Sequence, residues 1–527
     1  MAKFERYHNG MWITIAGGAG PVIPDENNIG IAGAQGFGVG TCPTADLPAS
    51  FTPMTGYDDP SHDNYGNYEY TDGSVCVWIP AFWCRFGSSS SPRYANYGVN
   101  AVDVKPLAAY EDDVAAATDD FYLHRAFFNG GTQQPGWFRS KYVSSLNGAV
   151  ASSLKNKNPI VPTPINGTQD GFASCTANSQ SPSTTAAGAI EAAKSRGNGW
   201  HLESVFQGHA LWTLAMAHAQ AASGTTACAW YSTSVANAPR GSNSNLKDTD
   251  DNSVTFTDAE VSGISYIALT GSANQFAKTT HNGQNSGVAD INGNLWRLAI
   301  GVSCNVENKN VGGVTLSNPV SIKVTGHGYS TGQALRINEL GGTTELNNKI
   351  FKITVVDSDN FTLDGVDGSG LTAYTSGGYV SARTFYILKP ETDINLLTSG
   401  ESGSYGNWSP AAYASAFEPI QHTLRTDYPN NSMLLKLGNG SEQVFAWASE
   451  DDRKRTMAFM PQALGVSSGG TVLMGEDAAR QELALKHFPR LGGDREMGGP
   501  AGIGAYDSCS KDDLSPYMTF ASSFYVL

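Results

Sequence analysis

The side chains best suited to molecular recognition crowd into LGGDREMGGPAGIGAYDSCSKDD, residues 491–513. Arg495, Glu496 and Met497 come first, then Tyr506, Asp507, Ser508, Lys511 and Asp512, with glycines at 492, 493, 498, 499, 502 and 504 around them. Glycine lets the backbone follow a close-packed path, so the side chains between glycines project. A tyrosine is a rigid amphipathic anchor, while Arg, Asp, Ser and Lys give adaptable hydrogen bonds, a mixture suited to noncovalent binding. The bland alternative is a plain surface hairpin.

Other groupings carry less. GVSSG (465–469) has the letters of a hydrolase nucleophile elbow, but that motif needs a helix straight after the serine, and GTVLMG reads as strand. In DTDDNSVTFTDAE (248–260), Asp248, Asp250, Asp251 and Asn252 hold positions 1, 3, 4 and 5 of a calcium loop. Ser253 replaces the turn glycine and Glu260 falls one place late, which favours a solvated acidic loop. His201, His209 and His218 are spaced by eight and nine, not by the three or four that set a metal pair on one helical face. Helix-surface or capping roles are expected for them. No metal site and no cofactor are expected.

What must position these residues is a long, weakly charged chain. Its 527 residues exceed one typical domain, so several units are expected. Charged residues are 15%, aromatics 10%, and there are 59 glycines, which suits a loop-rich, mainly β protein. A net charge of −15 argues against nucleic acid and against attachment to anionic membranes. MAKFERYHNGMWITIAGG lacks the apolar core of a signal peptide, and no run reaches membrane-spanning length, so no membrane insertion is expected. The cysteines at 42, 76, 84, 175, 228, 304 and 509 form no CxxC pair. They read as reduced, mostly buried thiols of a protein made in a cytoplasm.

Residues 1–60 show no helical period and read as an extended arm, for attachment or oligomer contacts. SVCVWIPAFWCRFG (74–87) is strand-like, aromatic at alternate positions and interrupted by Pro80. A short helix is expected in 186–200, stopped by Gly197. A longer one is expected in 201–221, with Phe206, Ala210, Leu214 and Ala217 on its apolar face. Between 306 and 383, short β runs alternate with turns every ten residues or so, marking a small all-β module. TFYILKP after it reads as resumption of the preceding strand, so the module is an insertion. HNGQNSGVADINGNLWRLAIGV (281–302) runs from tight turns into a strand, with Trp296 as the anchor.

Several of these segments, in order, resemble phage virion proteins with a C-type lectin fold, related to the formylglycine-generating-enzyme fold. The matching segments are SVCVWIPAFWCRFG, GNGWHLESVFQGHALWTLAMAH, GVADINGNLWRLAIG, and FPRLGGDREMGGPAGIGAYDS followed by TFASSFYV. The third resembles that family's GL-x-D-x-x-GN-v-W-E-W loop, which makes Asp290, Gly293, Asn294 and Trp296 scaffold residues. Arg297 and Leu298 depart from it. GHGYSTGQALRINELGG, LNNKIFKITVVDSDNFTLDGV and AYTSGGYV resemble the small β-barrel of ubiquitin-activating enzymes, which recurs in phage structural proteins.

The resemblance implies an α+β, mainly β and loop-rich fold: a C-type lectin-like domain in two parts, 61–305 and 384–527, the second carrying the binding face, with a small all-β barrel inserted at 306–383. It implies a virion surface protein made in the host cytoplasm, a receptor-binding tail fibre or tip mediating host attachment. The expected partners are other virion proteins and a host-cell surface receptor, protein or glycan. A homo-oligomer is expected, a trimer above all. A capsid decoration or head-fibre protein is the structural rival. An oxidase would need a close thiol pair for copper, and Cys304 and Cys509 stand alone in the sequence. No enzyme is expected.

Overall fold

The computed structural model describes residues 4–8, 11–15, 26–98, 101–164, 169–222, 227–229, 268–272, 276–291, 294–399, 415–420, 432–434, 478–480, 488–492, 506–509 and 512–526. It is mainly β, with few helices and much loop.

The central antiparallel sheet runs in the order Trp200–Leu202, Ser522–Tyr525, Gly136–Ser140, Val75–Pro80, Asn67–Tyr70, Phe51–Pro53. Alternation along a strand sends neighbouring side chains to opposite faces, and both faces here are covered. Cys76 and Trp78 enter an aromatic cluster with Phe51, Tyr68, Phe138 and Trp200. Val77, Ile79 and Trp137 enter the main core on the other side. Pro80 ends the strand. The chain resumes as Phe82–Phe86 in a separate sheet, paired with Val102–Pro106 and Tyr122–Leu123.

The long helix is Val205–Ala221. The Ser204 hydroxyl accepts the Gln207 N–H, while the Gln207 side chain accepts the Ser204 N–H, a reciprocal cap for its first turn. Every residue from Val205 to Gln220 is buried, not one apolar face alone. A helix enclosed on all sides needs little polar surface. The expectation of helix-surface or capping histidines is therefore corrected. His209 and His218 are interior, and His201 lies in the strand Trp200–Leu202, its ring stacked on Tyr525. Desolvation keeps such rings neutral.

Residues 26–60 are no extended arm. Ile29, Phe37 and Val39 are fully buried in the main core. Asn27 accepts the Trp78 indole N–H at 2.9 Å, and Gly38 donates to the Ile29 carbonyl. The segment lacks a regular period because it is a turn-rich strap whose contacts are with distant residues. Ahead of it, Phe4–His8 pairs antiparallel with Met11–Ile15.

The strands Val302–Asn310 and Tyr379–Leu388 pair antiparallel, from Val302↔Ile387 to Asn310↔Tyr379. The chain thus returns beside its outgoing strand and does not continue it collinearly, which corrects the sequence expectation. Between them lie Gly313–Thr315, Ser321–Lys323, Ala334–Asn338, Lys349–Val355 and Asn360–Leu363. These strands enclose their own hydrophobic cluster, including Val320, Ile322, Leu335, Ile337, Ile353, Phe361 and Val380.

Candidate binding face

A further sheet carries the recognition-rich segment. Its order is Ser432–Leu434, Ala478–Arg480, Tyr506–Cys509, Phe488–Leu491, Trp296–Leu298, Met518–Phe520. Phe488–Leu491 and Tyr506–Cys509 are antiparallel, with Leu491 opposite Tyr506. Tyr506, Asp507 and Ser508 thus sit on the returning strand of a hairpin. Arg495, Glu496 and Met497 belong to its connection and lie outside the described residues, as does Lys511. Asp512 is exposed in the segment leading to Met518–Phe520.

The base of this hairpin is held from beneath. Trp296 is 3% exposed, its N–H donates to the Tyr517 carbonyl at 2.9 Å, and the Arg490 guanidinium lies 5.0 Å from its ring centroid. Cation–π contact of this kind stabilises both partners. Asp290 accepts the Gly271 N–H with its carboxylate oxygens at 3.0 and 2.9 Å. Burial pushes the Asp290 carboxyl up to about 6, opposed by hydrogen bonds from the Gly271 and Val143 backbone. Asn294 accepts the Ala268 N–H and donates to the Ala268 carbonyl, both at 3.1 Å, much as a strand neighbour would. Gly293 lies outside the described residues.

Sequence reasoning missed the group that ties this sheet to the central one. Glu203, fully buried, accepts Arg139 Nε at 3.1 Å and Nη2 at 3.0 Å, and Arg297 Nε at 3.3 Å. Burial alone would raise its carboxyl, but the Arg139 and Arg297 guanidiniums hold it below the usual carboxylate range. Arg297 also donates to the Ile291 carbonyl, and the Glu203 backbone bonds to Ala521 and Ile300. The available signal was a lone charge inside each of three apolar runs, GWFRS, WHLES and LWRL. Arg297, seen as a departure from the family loop, is the residue that makes this link.

Gly492 begins the connection at φ +90°, and a Cβ there would meet the Ile291 carbonyl oxygen at 2.4 Å. Gly492 itself is therefore held close against the Ile291 backbone ahead of the Trp296 strand. With both Glu203 oxygens engaged by guanidiniums, the carboxylate is structural, not a poised base. The described base of the hairpin, Phe488–Leu491 with Tyr506–Cys509, is paired within the sheet on both sides, a firm support of the kind that low-entropy-cost recognition requires.

Cys509 is buried, and Cys304 lies on the strand Val302–Asn310. Residues 248–260 and 465–469 lie outside the described residues. Among the described residues, no group of three His, Cys, Asp or Glu side chains is placed to hold a metal ion, and no helix is long and apolar enough to cross a membrane.

No curated protein matches the chain. Residues 315–383, the strands that enclose the separate hydrophobic cluster, match the family of the ubiquitin-activating enzyme E1 FCCH domain.

Proposed function

We propose that this chain is a bacteriophage virion surface protein that attaches the particle to its host, as a receptor-binding tail fibre or tip protein. The observation that carries the reading is a combination of modules. An FCCH-like β module lies between the paired strands Val302–Asn310 and Tyr379–Leu388, in a glycine-rich and mainly β chain. Along the rest of that chain, the platform, run the ordered segments that resemble phage lectin-fold proteins.

A C-type lectin-like fold for the platform is part of this proposal. The late strand Ser522–Tyr525, sandwiched between Trp200–Leu202 and Gly136–Ser140, supports it by closing distant parts of the chain on one another. Binding is noncovalent, through the connection that leaves Gly492 and returns at Tyr506, to a protein or glycan receptor. Other virion proteins, and further copies of the chain in a trimer, complete the assembly. The protein acts at the virion surface after synthesis in the host cytoplasm, without nucleic acid, cofactor or catalysis.

The rival placement is on the capsid, as a decoration or head-fibre protein. The hairpin of Phe4–His8 with Met11–Ile15, ahead of the packed strap, favours it as an attachment element. Immunogold electron microscopy of virions tests both: label at the tail tip supports the adhesin, label over the capsid supports decoration, and unlabelled virions overturn both.

A further inference from the structure

Lys141 directly follows the strand Gly136–Ser140, and its amine is 2.5 Å from Asn67 Oδ1 and 2.7 Å from the Asn285 carbonyl. Lys141 is 4% exposed and Asn67 is fully buried. The Asn67 amide nitrogen donates to the Tyr65 carbonyl at 2.7 Å and to the Ser286 carbonyl at 2.9 Å. Those two acceptors fix the orientation of the amide, so its oxygen faces the lysine. The carbonyl carbon lies one C=O bond, ~1.23 Å, beyond that oxygen. It can therefore be no more than about 3.7 Å from the amine nitrogen, close to the near-attack range.

We propose that Lys141 and Asn67 form an intramolecular isopeptide bond. The lone pair of the neutral amine attacks Asn67 Cγ, and the Nζ–Cγ bond forms as the Cγ–Nδ2 bond breaks. One Nζ proton passes to the departing nitrogen, which leaves as ammonia. Atoms and charge balance with no oxidant, reductant or cofactor.

The surroundings favour this reaction. Burial brings the Lys141 amine down to about 7, so a large share is neutral and nucleophilic at ordinary pH. Asp63 pulls the amine toward its charged form and Lys155 pushes it away. The Phe276 ring, 5.6 Å from the amine, adds apolar cover. The two carbonyls on Asn67 Nδ2 hold the leaving group and strengthen their grip as it gains a proton. The bond would also have structural reach. Asn67 lies opposite Val77, and Lys141 N–H donates to the Val75 carbonyl, so the link staples two strands across the one between them.

Intact mass of the denatured full-length protein, followed by a tryptic map, tests the proposal. The expected result is a mass lower than the sequence value by one ammonia, with a branched peptide joining the Asn67 and Lys141 segments. Lys141→Arg should restore the full mass and abolish the branched peptide. A full mass with ordinary cleavage after Lys141 would overturn the proposal. So would ammonia loss without a branched peptide, as from a succinimide at an Asn-Gly pair such as Asn147-Gly148. Should Lys141→Arg fail to fold, the map of the unaltered protein decides alone.

Discussion

Arg139 grips Glu203 with two nitrogens in the core, and Arg297 reaches the same carboxylate from another sheet. Removing one member of a buried ionic group leaves a desolvated charge, which costs about 3–5 kcal/mol. Glu203→Gln is expected to destabilise the protein by about that amount, read from urea unfolding midpoints. A loss under about 1 kcal/mol would mean that the three side chains do not meet.

Trp296→Ala tests whether the glycine-asparagine loop is scaffold. Truncating a large buried aromatic costs about 3–5 kcal/mol, so a sharply lowered melting temperature is expected. An unchanged melt with lost ligand binding would assign the loop to recognition instead.

Much of the architecture was legible where the signal is local. Alternation in residues 74–87 marked a strand, Pro80 its break, and the turn spacing after 306 a separate β module. What stayed hidden depends on contacts far apart in sequence. Arg139 and Glu203 are 64 residues apart, and Glu203 and Arg297 are 94 apart. No periodicity announces such partners. The strap at 26–60 was misread for the same reason, since its order comes from what it covers. At the candidate binding face, composition singled out 494–512, while the structure supplied the hairpin base that composition cannot reveal.

The FCCH-like module should be removable. Asn310 and Tyr379 are direct partners, so an Asn-Gly turn joining them would close the ribbon as a two-residue hairpin. The module has its own hydrophobic cluster, and of the deleted residues the main core includes Ala334, with Ile350 packed against it. The shortened chain is expected to stay soluble and melt cooperatively. Insolubility or a non-cooperative melt would show that the two cores depend on each other.

Acid should unfold the protein early. Burial holds His201 and His281 down to about 4, His209 to about 3, and His124 well below the usual range. The unfolded chain takes up protons near pH 6.5, whereas the folded chain resists until about 4. Stability is therefore complete above the unfolded value and falls as pH drops between the two. A shift of this size amounts to about 3 kcal/mol for each of His201 and His281. Asp290 works the other way: raised to about 6, it is protonated in the folded chain at pH values where the unfolded chain has ionised. Its contribution grows as pH falls from about 6, but one carboxyl opposes four rings. Urea unfolding at pH 7, 6 and 5 should show a steady loss of stability, and a flat profile would place these histidines in water.

The receptor-binding reading rests on the connection between Gly492 and Tyr506. Contacts at the centre of such surfaces typically cost more than about 1–2 kcal/mol of binding when truncated. Exposed substitutions usually alter stability by under about 0.5 kcal/mol. A phage carrying Arg495→Ala with Tyr506→Ala should therefore assemble in normal numbers and fail to adsorb. Because Tyr506 lies on a strand paired on both sides, its truncation can also disturb the sheet. Arg495→Ala with Asp512→Ala, which leaves that strand intact, separates the two effects and should weaken adsorption at unchanged particle yield. Normal adsorption in both variants would remove the binding role from this surface. Loss of particles in the second variant, with the purified protein still folded, would move the protein from receptor binding to virion assembly.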